Sequence, residues 1–232
     1  MAPKRSTRAS TRAADSSQGD AAPDGDDNDE VDVKKPVRGK RSASDRSEKK
    51  AKAEPPSIPL FSHWLMKSEP ESRLENGIDV KFGIEDLKAL PNQTGCWDGV
   101  RNYQARNFMR DMRKGHLAFF YHSNCKEPGI AGIMDIVKEA YVDHTQFDKK
   151  DVHFDASSKP DSPKWSMVDV QYQRMLQRFI PLSELKKYHL QHGANGGPLK
   201  SMALFTRARL SVQPLTSEEF QFVLDLENKA PI

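Results

Sequence analysis

Four polar residues, Tyr103, Arg106, Asn107 and Arg110, recur at i, i+3, i+4 and i+7, so on a helix they share one face. That face carries two guanidiniums, an amide and a phenol. Ala105, Phe108, Met109 and Met112 follow the same spacing and predict the buried stripe of the same helix. Asn102 is placed to cap it. A helix start offers free N–H groups and a partial positive charge. With Arg101 and Arg106 beside it, this start suits an anion, and phosphate is the obvious one. An ordinary solvated face accounts for Arg110, Arg113 and Lys114.

Two tryptophans lie in or just after polar loops. Trp97 opens the Trp-Asp-Gly turn ahead of the helix, and Trp165 follows the loop Ser157 to Lys164. Two such indoles could sandwich a flat base, stacking being worth about 1–3 kcal/mol per base. The ordinary alternative is that each anchors the core, as expected for Trp64 in mid-strand. A further polar set, Lys67-Ser68-Glu69, precedes Pro70, which ends a strand. These residues offer donors and an acceptor at a pocket rim, and Glu69 could accept from an amino group such as cytosine N4. A plain strand-end charge cluster is the competing reading. His122 closes another strand and reads as a structural histidine.

The elements that must position these residues follow from periodicity. Strands are predicted at Ser62–Ser68, His116–His122, Gly129–Tyr141, Trp165–Ile180 and Arg207–Val212. Short helices are predicted at Gly83–Leu90, Asn102–Met112 and Pro181–Leu190. A last one starts at Thr216, with Glu219 completing a capping box. Asn92–Gly99 and Asp143–Pro163 read as loops, the latter with one helical turn. Strands among short helices without βαβα alternation imply α+β, a mixed or mostly antiparallel sheet of five or six strands. A small curled sheet or barrel with flanking helices is the natural closure.

Composition sets the frame. The chain has 232 residues, and all of its aromatic residues lie at or after Phe61. Residues 1–54 lack aromatics, Leu and Ile, so this tail is expected to be disordered, leaving one domain over 55–232. No apolar run is long enough for a membrane helix, and the start carries no secretory signal, so no membrane partner is expected. Two cysteines without a CxxC exclude a disulfide framework and a structural zinc site. No metal or other cofactor is expected, and the domain is expected to be a monomer.

Charge in the tail comes in blocks. Residues 1–12 hold Lys4, Arg5, Arg8 and Arg12, residues 13–32 are acidic, and residues 33–54 are basic. Lys34, Lys35, Arg38, Lys40 and Arg41, followed by Lys49, Lys50 and Lys52, read as a nuclear import signal for an import receptor. A solvated linker and a non-specific phosphate grip are the other readings. Serines and threonines nearby could accept phosphate.

Trp64–Pro70, Trp97–Asn107, Phe120–Ser123, Gly129–Gly132 and Trp165–Val170 together resemble an EVE domain, over about residues 58–227. The undecapeptide from Trp97 to Asn107 is the most specific piece. The resemblance implies a PUA-like curled β-barrel with flanking helices, related to YTH domains, which read N6-methyladenine in RNA through an aromatic cage. EVE domains are thought to read modified bases in DNA, 5-hydroxymethylcytosine and related cytosines among them. In YTH domains a Lys-Ser strand end and two tryptophans build the cage, and Lys67-Ser68, Trp97 and Trp165 stand in similar order here. Where YTH domains often carry Asn after Lys-Ser, this chain has Glu69, which suits an amino-bearing base such as cytosine.

The resulting expectation is a non-enzymatic nuclear reader of modified bases in DNA, 5-hydroxymethylcytosine or a related cytosine. The base would be flipped out and stacked on Trp97 and Trp165. Lys67, Ser68, Glu69 and Asn102 would bond its edge, with Arg101 and Arg106 on flanking phosphates. The rivals are a YTH-like reader of modified RNA, a hydrolase of the ASCH type using Lys67 and Glu69, and a scaffold working through the tail. The zinc-deaminase signature, a nucleophile elbow and a P-loop are all missing.

Overall fold

The computed structural model describes residues 60–232. The charged tail and the import-signal residues Lys34, Lys35, Arg38, Lys40, Arg41, Lys49, Lys50 and Lys52 lie outside the described residues. In chain order the elements are β1 (His63–Ser68), the hairpin strands β2 (Leu74–Glu75) and β3 (Ile78–Asp79), α1 (Ile84–Lys88), β4 (Thr94–Trp97), α2 (Tyr103–Asp111), β5 (Leu117–His122) and β6 (Gly129–Val142). Then follow β7 (Ser166–Pro181), α3 (Leu182–Asn195), α4 (Ala203–Thr206), β8 (Val212–Leu215) and α5 (Ser217–Asp225). This is the expected α+β class. Six strands form one sheet in the order β4-β7-β6-β5-β1-β8. Only β1 and β5 run parallel, with Trp64 opposite Ala118 and Ser68 opposite His122; the other neighbours are antiparallel.

Alternation along the strands divides the core in two. Trp64 and Met66 of β1, with Ala118 and Phe120 of β5, face an inner cluster that includes Trp97, Val168, Val170 and Val212. Leu65, Phe119 and Tyr121 point the other way, onto Leu185 of α3 and Phe220 and Val223 of α5. Both faces of the central strands are therefore covered, which is why they read as nearly continuous apolar runs. The helix α2 packs against β6, β7 and β8. Its Ala105, Met109 and Met112 are fully buried in the inner cluster. The sheet thus curls around the stripe expected for this helix, and α2 bridges edge strand β8 to β6 and β7.

The structure departs from the expected elements in three places. Thr94–Trp97, expected to be loop, is edge strand β4, pairing Trp97 with Val168. Four residues including Gly95 carry too little pattern to read; the partner strand and the burial of Trp97 fix them. The strand expected over Arg207–Val212 begins only at Val212. Residues 207–210 instead form a turn in which Leu210 N donates to Arg207 O, and the Gln213 amide donates to Leu210 O. The helix expected to stop near Leu190 runs to Asn195, where Gly196 at φ +80° ends it.

Candidate nucleic-acid interface

The approach to α2 is fastened before the helix begins. Gly99 lies at φ +76°, and a Cβ there would come within 2.6 Å of the His153 ring, so only glycine fits. Its N–H donates to Asp143 Oδ2 at 3.0 Å. Arg101 then forks onto the same segment. It donates through Nε to His153 O (2.7 Å), through Nη1 to Asp143 Oδ2 (2.7 Å) and through Nη2 to Thr145 Oγ1 (2.9 Å). Asp143 is fully buried. Burial pushes its carboxyl up, but bonds from Thr145 and Arg101 outweigh that and hold it below the usual carboxylate range. Every guanidinium nitrogen of Arg101 therefore has a protein acceptor, and the residue ties α2 to the 143–145 segment. Asn102 caps α2, its side-chain oxygen accepting from Gln104 N (2.9 Å) and Ala105 N (3.0 Å).

Trp165 stands directly in front of that helix start. It is only 6% exposed, while Tyr103, stacked on it at 4.8 Å and 25°, is 54% exposed. The Arg106 guanidinium lies 4.8 Å from the Tyr103 ring and 5.9 Å from that of Trp165. With the two rings 4.8 Å apart, these separations form an isosceles triangle with its apex at Tyr103, so Arg106 flanks the stacked pair instead of covering it. Arg106 also donates to Lys164 O (2.8 Å) and to Asn107 Oδ1 (2.7 Å). The structure thus brings Arg101, Asn102, Arg106 and Trp165 together and adds Tyr103 as the ring that faces solvent.

The pose of Trp165 is fixed from behind by residues that sequence reasoning passed over. Gln146, fully buried, accepts from Trp165 N (3.1 Å) and Lys164 N (3.1 Å) and donates to Trp165 O (3.2 Å). It also binds Ser158 Oγ and Asp143 O. The indole N–H of Trp165 donates to Asp155 Oδ2 at 2.7 Å. Bonds from the Ser157 hydroxyl and then from that indole hold the Asp155 carboxyl down at about 2. Tyr103 was legible as part of the polar stripe. Gln146 and Asp155 carry no local signal, because a polar loop is where such residues are ordinary.

The other expected residues lie at the ends of β4 and β1. Trp97, at the end of β4, is 6% exposed and packs edge-on against Phe120 (5.4 Å) and Phe82 (6.2 Å). Its ring neighbours are thus Phe82 and Phe120, whereas Trp165 stacks on Tyr103. Ser68 Oγ donates to Phe82 O (2.7 Å), and Lys67 Nζ donates to Ala208 O (2.9 Å) while lying 5.8 Å from the Tyr121 ring. Burial lowers the Lys67 ammonium. Burial also pushes the Glu69 carboxyl up, but bonds from Arg73 (2.7 Å) and Asn124 (3.1 Å) leave it below its ordinary value. Phe82 thus links this rim to Trp97, and Trp97 leads along the chain to Arg101. His122 is satisfied structurally, its Nε2 accepting from Ile84 N (3.2 Å).

Comparison with known proteins places these residues in context. The EVE domain model matches residues 62–226. Thymocyte nuclear protein 1 of Danio rerio is 68% identical over 231 residues, spanning 99% of this chain and 100% of that protein. The human protein of the same name is 75% identical over 172 residues, 74% of this chain and 76% of its own length. A crystal structure of human THYN1 protein in complex with 5-methylcytosine-containing DNA matches with a TM-score of 0.72 at 75% identity, covering 73% of this chain and 99% of that one.

Proposed function

The chain belongs to the EVE domain family, and on that premise we propose that it is a non-enzymatic reader of modified cytosine in DNA. The observation that carries this reading is the human relative solved with 5-methylcytosine-containing DNA, whose solved chain is matched over 99% of its residues. The stacked aromatic pair at a basic helix start supports it. A duplex exposes the cytosine 5-position in its major groove but hides the ring faces and the pairing edge, so stacking the base on an aromatic ring requires the nucleotide to leave the stack, at a few kcal/mol. The extruded base meets Tyr103 first, with Trp165 held rigid behind it, and Trp97 walls the approach. Arg106 takes a flanking phosphate. Arg101 holds the helix start in place, and its charge adds to the field there.

Recognition of the polar edge of the base falls to Lys67, Ser68 and Glu69, with the free amide of Asn102. A carboxylate held ionised by Arg73 and Asn124, as Glu69 is, accepts from an exocyclic amino group, which cytosine and its 5-substituted forms present. The 5-hydroxymethyl form is the proposed preferred ligand, its hydroxyl adding a donor and acceptor that Lys67 and Ser68 can meet. The tail supplies an import receptor with Lys34, Lys35, Arg38, Lys40, Arg41, Lys49, Lys50 and Lys52, giving nuclear residence, in keeping with the name its relatives bear. Binding to matched duplexes carrying plain, 5-methyl- and 5-hydroxymethylcytosine at one salt concentration tests the reading. Preference for a modified duplex sustains it, and equal affinity for all three overturns it.

A further inference from the structure

A shallow groove of ≈ 450 Å³ opens beside the second half of α2, lined by Arg110, Arg113, Glu139, Tyr141, Val142 and Ser166. It begins one residue beyond Trp165. Arg110 stands one helical turn after Arg106, on the same exposed face of α2. Three observations give this groove a direction. Arg110 donates through Nε to Ser166 Oγ (3.0 Å), which orients the guanidinium and leaves its terminal nitrogens without a protein acceptor among the described residues. Arg113 is held by its own helix end, donating through Nη1 to Arg110 O and Met112 O at 2.9 Å each.

The third observation concerns charge balance. Among the described residues, Arg73, Arg101, Arg174 and Arg178 each pair with a carboxylate, whereas Arg106, Arg110, Arg113, Arg207 and Arg209 do not, and the first three of these lie together along and just after α2. The Arg106 guanidinium is depressed first by burial and then by the neighbouring charge of Arg110. Like charges held close together without a carboxylate paired to them are the arrangement that an external anion relieves. The acid in the groove, Glu139, accepts from Lys114 N (3.4 Å), and Lys138 lies beside it in sequence with its ammonium 3.6 Å from the Tyr141 ring.

We propose that this groove is the track for the sugar–phosphate backbone of the DNA strand that leaves the Tyr103–Trp165 stack, with Arg110 and Arg113 as its phosphate contacts. The inference rests on the DNA-reader reading and assigns to it a backbone path that carries no base preference. Phosphate contacts set affinity and salt dependence, whereas base contacts set discrimination. The two roles therefore separate in one experiment.

The full chain and its Arg110→Gln and Glu139→Gln variants are titrated, across a salt series, with a duplex holding one 5-methylcytosine and with its unmodified twin. Arg110→Gln is expected to weaken binding to both duplexes by a common factor, about eight-fold at 0.1 M salt, and to flatten the slope of log K against log salt by about 0.9, the loss of one phosphate contact. Glu139→Gln is expected to tighten binding to both. If the wild-type chain does not distinguish the duplexes yet Arg110→Gln still flattens the slope, the groove assignment stands and the reader assignment falls. An unchanged slope and affinity in Arg110→Gln overturns the groove assignment whatever the base preference. Loss of the preference at an unchanged slope also overturns it, because Arg110 would then act at the base.

Discussion

Trp165 lies stacked beneath Tyr103, their ring centroids 4.8 Å apart, so that a nearly buried indole backs a ring more than half exposed to solvent. The two residues come from distant parts of the chain, one opening α2 and the other leading into β7. What joins them is the packing of α2 across the curled sheet. An exposed aromatic on an immobile backing loses little freedom when a base lies on it, so most of the stacking energy appears as binding.

Tyr103→Ala should therefore weaken DNA binding by an amount in the range of about 1–3 kcal/mol, roughly five- to 150-fold, with little effect on folding. Fluorescence anisotropy with a labelled duplex reads the first quantity and thermal unfolding the second. Unchanged affinity in a well-folded variant would show that the ring is not a contact.

Arg101 sets a different expectation. Its side chain is 21% exposed and its partner Asp143 is fully buried. Removing the guanidinium in Arg101→Ala leaves a buried carboxylate unpaired, which costs about 3–5 kcal/mol of stability. Arg101→Lys should recover only part of this, since an ammonium cannot reproduce the fork onto Asp143, Thr145 and His153. Denaturant unfolding measures both. A normally stable Arg101→Ala whose salt slope falls by about 0.9 would instead make Arg101 a phosphate ligand.

Much of this site was legible before the fold was known. The helical spacing of Ala105, Phe108, Met109 and Met112 fixed which face of α2 is buried, and hence that Tyr103, Arg106 and Arg110 look outward. Asn102 announced the helix start by its type. The role of Arg101 was not legible, because a basic residue before a helix looks the same whether it meets a phosphate or a buried Asp143 44 places beyond Gly99. Nor could spacing show that Trp97 packs on Phe82 and Phe120 while Trp165 packs on Tyr103. Those pairings depend on how β4 docks on β7, and a four-residue edge strand has no periodicity of its own.

The indole of Trp165 should be insensitive to acid until far below neutrality. The Asp155 carboxyl is lowered from 3.8 to about 2, so the stability it lends is complete above the unfolded value and is lost as pH falls from there through about 2. The Trp165 indole N–H resonance should hold its position from pH 7 to about 4 and move below that. Asp155→Asn should shift it at every pH. A wild-type resonance that titrated near pH 4 to 5 would contradict the assigned bond.

His116 predicts an earlier loss. Its Nδ1 accepts from Trp64 Nε1 (3.2 Å) and from Arg113 N (3.1 Å), so the ring must be neutral there. Burial, and then the Arg113 charge, lowers it from 6.5. The unfolded chain therefore takes up a proton first. Stability is unaffected above 6.5 and falls as pH drops below it, by at most about 1.4 kcal/mol per pH unit for this one group. His116→Gln, whose amide oxygen accepts without titrating, should flatten that slope. An unchanged slope would remove His116 as its source.

The central claim is tested most directly by equilibrium binding of the full chain, at a single salt concentration, to plain, 5-methyl- and 5-hydroxymethylcytosine duplexes and to RNA with and without N6-methyladenine. A base-edge contact gives about 1–3 kcal/mol of discrimination, so a modified-cytosine duplex should bind about five- to 150-fold more tightly than the plain one. Equal binding to every probe would contradict the account, and so would a preference confined to N6-methyladenine RNA.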